Sequence, residues 1–178
     1  MSTSTPTRSP WQPLSRWLRH TWLDAADARR QLTPEGLQRL EAAVRLSESR
    51  HRGELRLCVE AGLPPAALWQ GVGARERAIA HFSALRVWDT AANNGVLVYL
   101  LLADRRIEVL ADRGLSERVP EATWQAMADR LSLALREGRF EAGLLQAIEA
   151  VGELMRQHFP RVEGQTDRNE LPDAVVLI

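Results

Sequence analysis

The sequence predicts an α/β fold, specifically a three-layer α/β/α sandwich with a small mixed sheet and a central hairpin. Three observations predict it. Residues 95–102, GVLVYLLL, are apolar at consecutive positions, the pattern of a strand covered on both faces. Residues 54–60, ELRLCVE, alternate strictly, with Leu55, Leu57 and Val59 on one side and Glu54, Arg56, Cys58 and Glu60 on the other. Between and after them run stretches with helical spacing, and a strand, a crossover helix and a second strand normally pair parallel and right-handed.

Each element has its own signal. Residues 1–10 are small, polar and Pro-containing, so they are expected to stay unordered. From Leu14 to Gln31 the pattern is helical, with Leu14, Trp17, Leu18 and Trp22 on one stripe and Arg16, Arg19 and His20 off it. That stripe is expected to dock on the domain. A peripheral membrane contact through residues 14–31 stays open, because Trp and Leu against Arg also mark an interfacial helix. Thr33-Pro34-Glu35 is a helix start, with Thr as cap, Pro at the first position and an acid facing the dipole. Leu63-Pro64-Pro65 closes the first strand and opens a short turn around Leu68 and Trp69, and a helix over 74–87 carries Ala78, Phe82 and Leu85. Asp104-Arg105 turns the central strand into Arg106–Ala111, whose Ile107 and Val109 alternate with Arg106 and Glu108. Pro120 starts a helix with Trp124, Met127, Leu131 and Leu135 on one stripe. A last helix from Phe140 carries Leu144, Ile148, Val151 and Met155, and Pro160 halts it.

Composition bounds the function. A length of 178 residues suits one compact domain. The expected organisation is a tail and amphipathic helix over 1–30, a domain over 31–160 and a disordered C-terminal tail over 161–178, whose β-branched apolar tip, residues 174–178, suits addition as a strand to a sheet edge, entry into a carboxylate-binding groove, or packing on its own domain. Basic and acidic residues number 23 each, for a net charge of +0, so no nucleic-acid partner is expected. One Cys excludes an internal disulfide and a Cys-based zinc site. The longest apolar run, Val96–Ala103, falls far short of the roughly 20 residues that span a bilayer, so no transmembrane helix is expected. The N-terminal stretch lacks the apolar core of a secretory signal, and a cytoplasmic location is the expectation. P-loop, Gly-x-Ser-x-Gly and His-Glu-x-x-His motifs are absent, and Gly71-x-Gly73 lacks the third glycine of a dinucleotide site. The scattered His20, His51, His81 and His158 read as surface or capping residues, and Cys58 as a small buried apolar group.

One constellation carries chemistry. Residues 88–95, WDTAANNG, lead into the central strand, and in a hairpin the start of that strand lies beside Asp112-Arg113-Gly114. With the first strand parallel to the central one, Glu54 begins at the same end of the sheet. Asp89, Asn93, Asn94, Asp112 and Glu54 then converge as hard oxygen ligands suited to Ca²⁺ or Mg²⁺. Arg113 beside them suits a phosphate or other anion. The competing reading is that Asp89 and the Asn pair only cap the turn into the strand.

The stretch 82–115, FSALRVWDTAANNGVLVYLLLADRRIEVLADRGL, resembles the core of the TPM domain, also called the TPM phosphatase domain. Leu32-Thr33-Pro34 at the start and residues 138–143, GRFEAG, before the last helix fit the same family over about 31–160. The resemblance implies an α/β/α sandwich, divalent-cation binding as in some members, and the phosphatase activity claimed for plant relatives. Many relatives carry a signal peptide or membrane helix and serve the assembly or maintenance of membrane complexes. This chain resembles the shorter soluble bacterial form. It also keeps only one glycine in Ala111-Asp112-Arg113-Gly114, where the family is glycine-rich.

Two functions stay open. The first is a cation-binding accessory or interaction domain with a protein partner. The second is a metal-assisted phosphatase acting on phosphomonoesters, with the cation polarising the phosphoryl oxygen and Arg113 steadying it. Thr90 is the nearest hydroxyl to Asp112, and Asp89 is the only general base beside it.

Overall fold

The computed structural model describes residues 12–22, 25–162, 164 and 169–178. The expectations for residues 1–10 and for the Leu14 side chain lie outside the described residues. Helices α1 (Gln12–Trp22), α2 (Ala25–Gln31) and α3 (Pro34–Glu48) precede β1 (Glu54–Glu60). Helices α4 (Pro65–Trp69) and α5 (Ala74–Ala84) cross over to β2 (Gly95–Leu101), which turns into β3 (Arg106–Ala111). A short α6 (Arg113–Ser116), then α7 (Glu121–Arg136), α8 (Phe140–His158) and β4 (Val176–Leu177) complete the order.

The sheet order is β3-β2-β1-β4. β2 is parallel to β1 from Glu54↔Gly95 to Glu60↔Leu101 and antiparallel to β3 from Val96↔Ala111 to Leu101↔Arg106. One face carries Leu55, Leu57, Val59, Val96, Val98 and Leu100 against Leu40 and Val44 of α3, Trp124 and Leu131 of α7, and Leu144, Ile148 and Val151 of α8. The other carries Cys58, Leu97, Tyr99 and Leu101 against Leu68 of α4 and Ala78 of α5. That is the α/β/α sandwich. Burying each large aliphatic side chain contributes about 1.5–3 kcal/mol, so the doubly covered β2 anchors the molecule.

Local chemistry sets the boundaries. Thr33 Oγ1 accepts from Gly36 N at 3.2 Å and Pro34 occupies the first turn, which starts α3 as expected. The helix expected over 74–87 ends instead at Ala84, because the chain turns at Arg86, whose φ of 55° is left-handed. Gly95 is obligatory at the start of β2, since a Cβ there would run into the Val87 carbonyl.

Three expectations are corrected. The first concerns α1, which docks by its polar side. Arg16 Nη2 donates to Asp104 Oδ2 at 3.0 Å and to the Val72 carbonyl at 3.0 Å. His20 Nδ1 accepts from Leu63 N at 2.9 Å, which leaves its Nε2–H to donate to Asp104 Oδ1 at 3.0 Å. Trp17 packs inward, whereas Leu18 is exposed and Trp22 is 81% exposed. The half-buried Asp104 carboxylate at the hairpin turn, rather than Leu18 or Trp22, sets the rotation of α1. The second correction concerns the histidines: His20, His51 and His81 are all buried, each hydrogen-bonded within the fold.

The third concerns the C-terminal tail, expected to be disordered over 161–178, of which residues 163 and 165–168 lie outside the described residues. Val176 and Leu177 pair parallel with Cys58 and Val59 as edge strand β4, and Leu171 is buried beneath the segment. The polar side of β1 supplies the reason, because Glu54 and Arg56 are buried and need partners that the tail backbone provides.

Candidate functional site

The candidate site lies at the end of the sheet where β1 and β2 begin and β3 ends. Asp112 N donates to Gly95 O at 2.9 Å, and Glu54 is the register partner of Gly95, so Glu54, Gly95 and Asp112 form one row across three strands. The row brings the two acids to the expected end without joining them. At the normal interstrand spacing their backbones are about 10 Å apart, and the Val87 carbonyl fills the space over Gly95 between them.

Asp112 stands at the mouth of α6. Its Oδ1 accepts from Arg113 N at 2.7 Å, which is the capping role. Its Oδ2 is buried and has no hydrogen-bond partner among the described residues. The loop 89–94 does close on this turn, as expected. Gly114 N donates to Asn93 O at 2.9 Å, and a Cβ on Gly114 would lie 2.6 Å from Asn93 O and 2.7 Å from Ala92 O. That close approach explains the single retained glycine: at Gly114 the two backbones touch.

The remaining residues divide. Asp89 is exposed and ion-paired with Arg86. Asn93 is exposed, with a left-handed φ of 51° that shapes the loop. Asn94 is buried, and its amide donates to the Arg52 carbonyl while its N–H donates to Thr90 Oγ1 at 3.0 Å. Arg113 is exposed beside the cap. Both Glu54 oxygens accept tail amides, Oε1 from Glu170 N and Oε2 from Leu171 N, each at 3.0 Å. The loop therefore meets the chain at Gly114, two residues past Asp112, while Glu54 and Asn94 are turned to structural partners. Among the described residues, no group of three or more His, Cys, Asp or Glu is arranged to hold a metal ion.

Two polar networks, one buried and one half-buried, escaped the sequence reading. Glu60 accepts from Arg77 Nη2 at 2.7 Å, from Tyr99 Oη at 2.7 Å and from His81 Nε2 at 3.1 Å. Burial alone would raise its pKa, but the three donors outweigh that and hold the carboxyl at about 2. Its signal was an Arg and a His four apart on the face of α5 that carries Ala78. The second network is at Glu48, whose carboxyl burial pushes up to about 9 despite the bond from Leu55 N at 2.8 Å, with Glu54 and Asp173 adding to the rise. Acids drawn from a helix, a strand and the tail leave no sequence spacing to read.

The fold and site together define a small α/β/α protein with an acid-capped hairpin end. The TPM-domain family model matches residues 25–154, and the chain belongs to that family. Its structure is similar to the NMR structure of the BA42 protein from the psychrophilic bacterium Bizionia argentinensis. The TM-score is 0.71 at 27% identity, over 82% of this chain and 94% of that one. It also shares its fold with the N-terminal domain of a protein from P. gingivalis, with a TM-score of 0.58 at 19% identity over 74% of this chain and 83% of that one. No curated protein matches this chain.

Proposed function

We propose that this chain is a TPM-domain accessory protein that acts by binding, taking one Ca²⁺ or Mg²⁺ at Asp112 and a protein partner in the assembly or upkeep of a complex. The observation that carries the reading is the buried Oδ2 of Asp112, which has no partner among the described residues. An unsatisfied buried acceptor costs about 1–3 kcal/mol, more when charged, and a hard cation relieves that cost while completing an oxygen shell. The donor set fits in part. Asp112 supplies the fixed oxygen, and the exposed side chains of Asn93 and Asp89 are the next within the loop. Main-chain carbonyls and water complete such a site. Glu54 and Asn94 are not ligands in this reading, because their polar atoms are already engaged. A bound cation supplies charge that ties the loop to α6. The phosphatase reading has less support, since the Thr90 hydroxyl is buried and already accepts from Asn94 N.

Calorimetric titration with Ca²⁺ and Mg²⁺, with melting curves for wild type, Asp89→Asn and Asp112→Asn, tests this. Binding only the folded state, the ion is expected to stabilise wild type by about 2.7 kcal/mol at a hundredfold excess over Kd. Asp112→Asn should lose most of that gain and Asp89→Asn a smaller part. Equal shifts in all three proteins, or none, would overturn the site. Metal-dependent turnover of a generic phosphomonoester that is lost in Arg113→Ala would establish the hydrolase instead.

A further inference from the structure

The outer edge of β1 is closed by residues 169–178, and the contacts that hold them address peptide groups. Glu54 takes the consecutive N–H groups of Glu170 and Leu171 at 3.0 Å each, and Glu41 Oε1 takes Val175 N at 3.3 Å. Arg56 donates to the Ala174 carbonyl at 3.1 Å and to that of Pro172. Ile178 N donates to Val59 O, and Ala61 N to Ile178 O, both at 2.9 Å. Carboxylates for N–H groups, a guanidinium for carbonyls and an open ladder are the means by which an edge holds an extended peptide.

The segment is lightly held by comparison with the core. Its strand has two residues, Leu171 is its one buried side chain, and Val175, Val176 and Leu177 are only partly buried against the two cores. Few buried apolar contacts place a segment at the low end of local stability, and a vacated edge is a template for another strand.

We propose that the outer edge of β1, with Glu41, Glu54 and Arg56, is a binding groove for an extended peptide, occupied in cis by residues 169–178 and exchangeable for the same segment of a second copy. The second copy is the occupant because its segment makes an identical set of contacts, so exchange trades like for like and costs only the freedom lost on association. The ligand chemistry follows from the contacts. Two free N–H groups are needed where Glu170 and Leu171 sit, an aliphatic side chain at Leu171, and a β-branched or aliphatic residue at Val176. A Pro is tolerated at 172, where only the carbonyl is used.

The test uses the full chain. Cys58, the chain's only cysteine, is the register partner of Val176, and both side chains pack in the layer beneath α5. Val176→Cys therefore sets two thiols side by side, and a mild thiol oxidant should cross-link them and lock the groove. Anisotropy of a fluorescent synthetic peptide of residues 169–178 is expected to report binding to wild type and to reduced Val176→Cys. Binding should be at least tenfold weaker after oxidation and recover with reductant. The Leu171→Asp chain, with a weakened strap, should bind the wild-type peptide more tightly than wild type does. Oxidising Val176→Cys at rising protein concentration should move the product from cross-linked monomer to cross-linked dimer. Equal binding by locked and unlocked chains, no binding to the Leu171→Asp chain at millimolar peptide, or monomer at every concentration would overturn the proposal. Failure of Val176→Cys to cross-link would also overturn it, by contradicting the contact on which it rests.

Discussion

Glu48 illustrates how a single carboxyl reports its surroundings. It bonds Leu55 N and Asp173 and lies near Glu54, so it remains protonated at neutral pH, its pKa raised to about 9 chiefly by burial. A carboxyl whose folded pKa is raised stabilises most below its unfolded value near 4.5, and that stabilisation is lost as pH rises toward 9. Glu48→Gln keeps an acceptor for Leu55 N and a donor for Asp173 without an ionisable proton. Urea melts should show the variant more stable than wild type at pH 8, by at least about 1 kcal/mol, and equal to it at pH 4. A wild-type curve flat between those pH values would contradict this reading of Glu48.

Among elements, α1 depends most on one residue. Asp104 receives Arg16 and His20, and although burial opposes ionisation, these donors hold its pKa at about 2, below the usual 3.8. A depressed carboxyl contributes stability that is present above 3.8 and lost as pH falls toward 2. Asp104→Asn should cost about 1–2 kcal/mol, since hydrogen bonds to a charged group exceed neutral ones and the Arg16–Asp104 pair is partly exposed to solvent. Amide exchange should show the loss concentrated in α1, with β1 and β2 still protected. Uniform loss of protection would show that the helix is part of the global unit.

On the scale of the whole molecule, β2 joins both helix layers. Val98 is 1% exposed and lies in the core beneath α3, α7 and α8. Val98→Asp would bury an unpaired charge at the centre of the sheet, costing more than the few kcal/mol by which domains of this size are stable. Its cooperative thermal transition should vanish. A transition within a few degrees of wild type would show that β2 is not the anchor. Acid should act at the same scale through Glu60, whose pKa of about 2 means that the buried network is lost only below the ordinary carboxylate range.

The sequence by itself determined the order of elements from α3 to α8 apart from the short α6, the doubly covered β2, the parallel β1–β2 pairing, and the approach of loop 89–94 to the turn 112–114. These follow from period and spacing between near neighbours, where side-chain alternation and turn chemistry act locally. Only the tertiary structure decided that Glu54 serves the tail, that Asn94 serves Arg52, and that α1 turns Arg16 and His20 inward. It also decided, among the readings open for the apolar tip, that residues 176–177 pair as a strand with β1 of the same chain. The physical reason is the same in each case. A buried polar group takes whichever partner the packed chain brings within about 3 Å, and that partner lies many residues away, at no spacing that periodicity records.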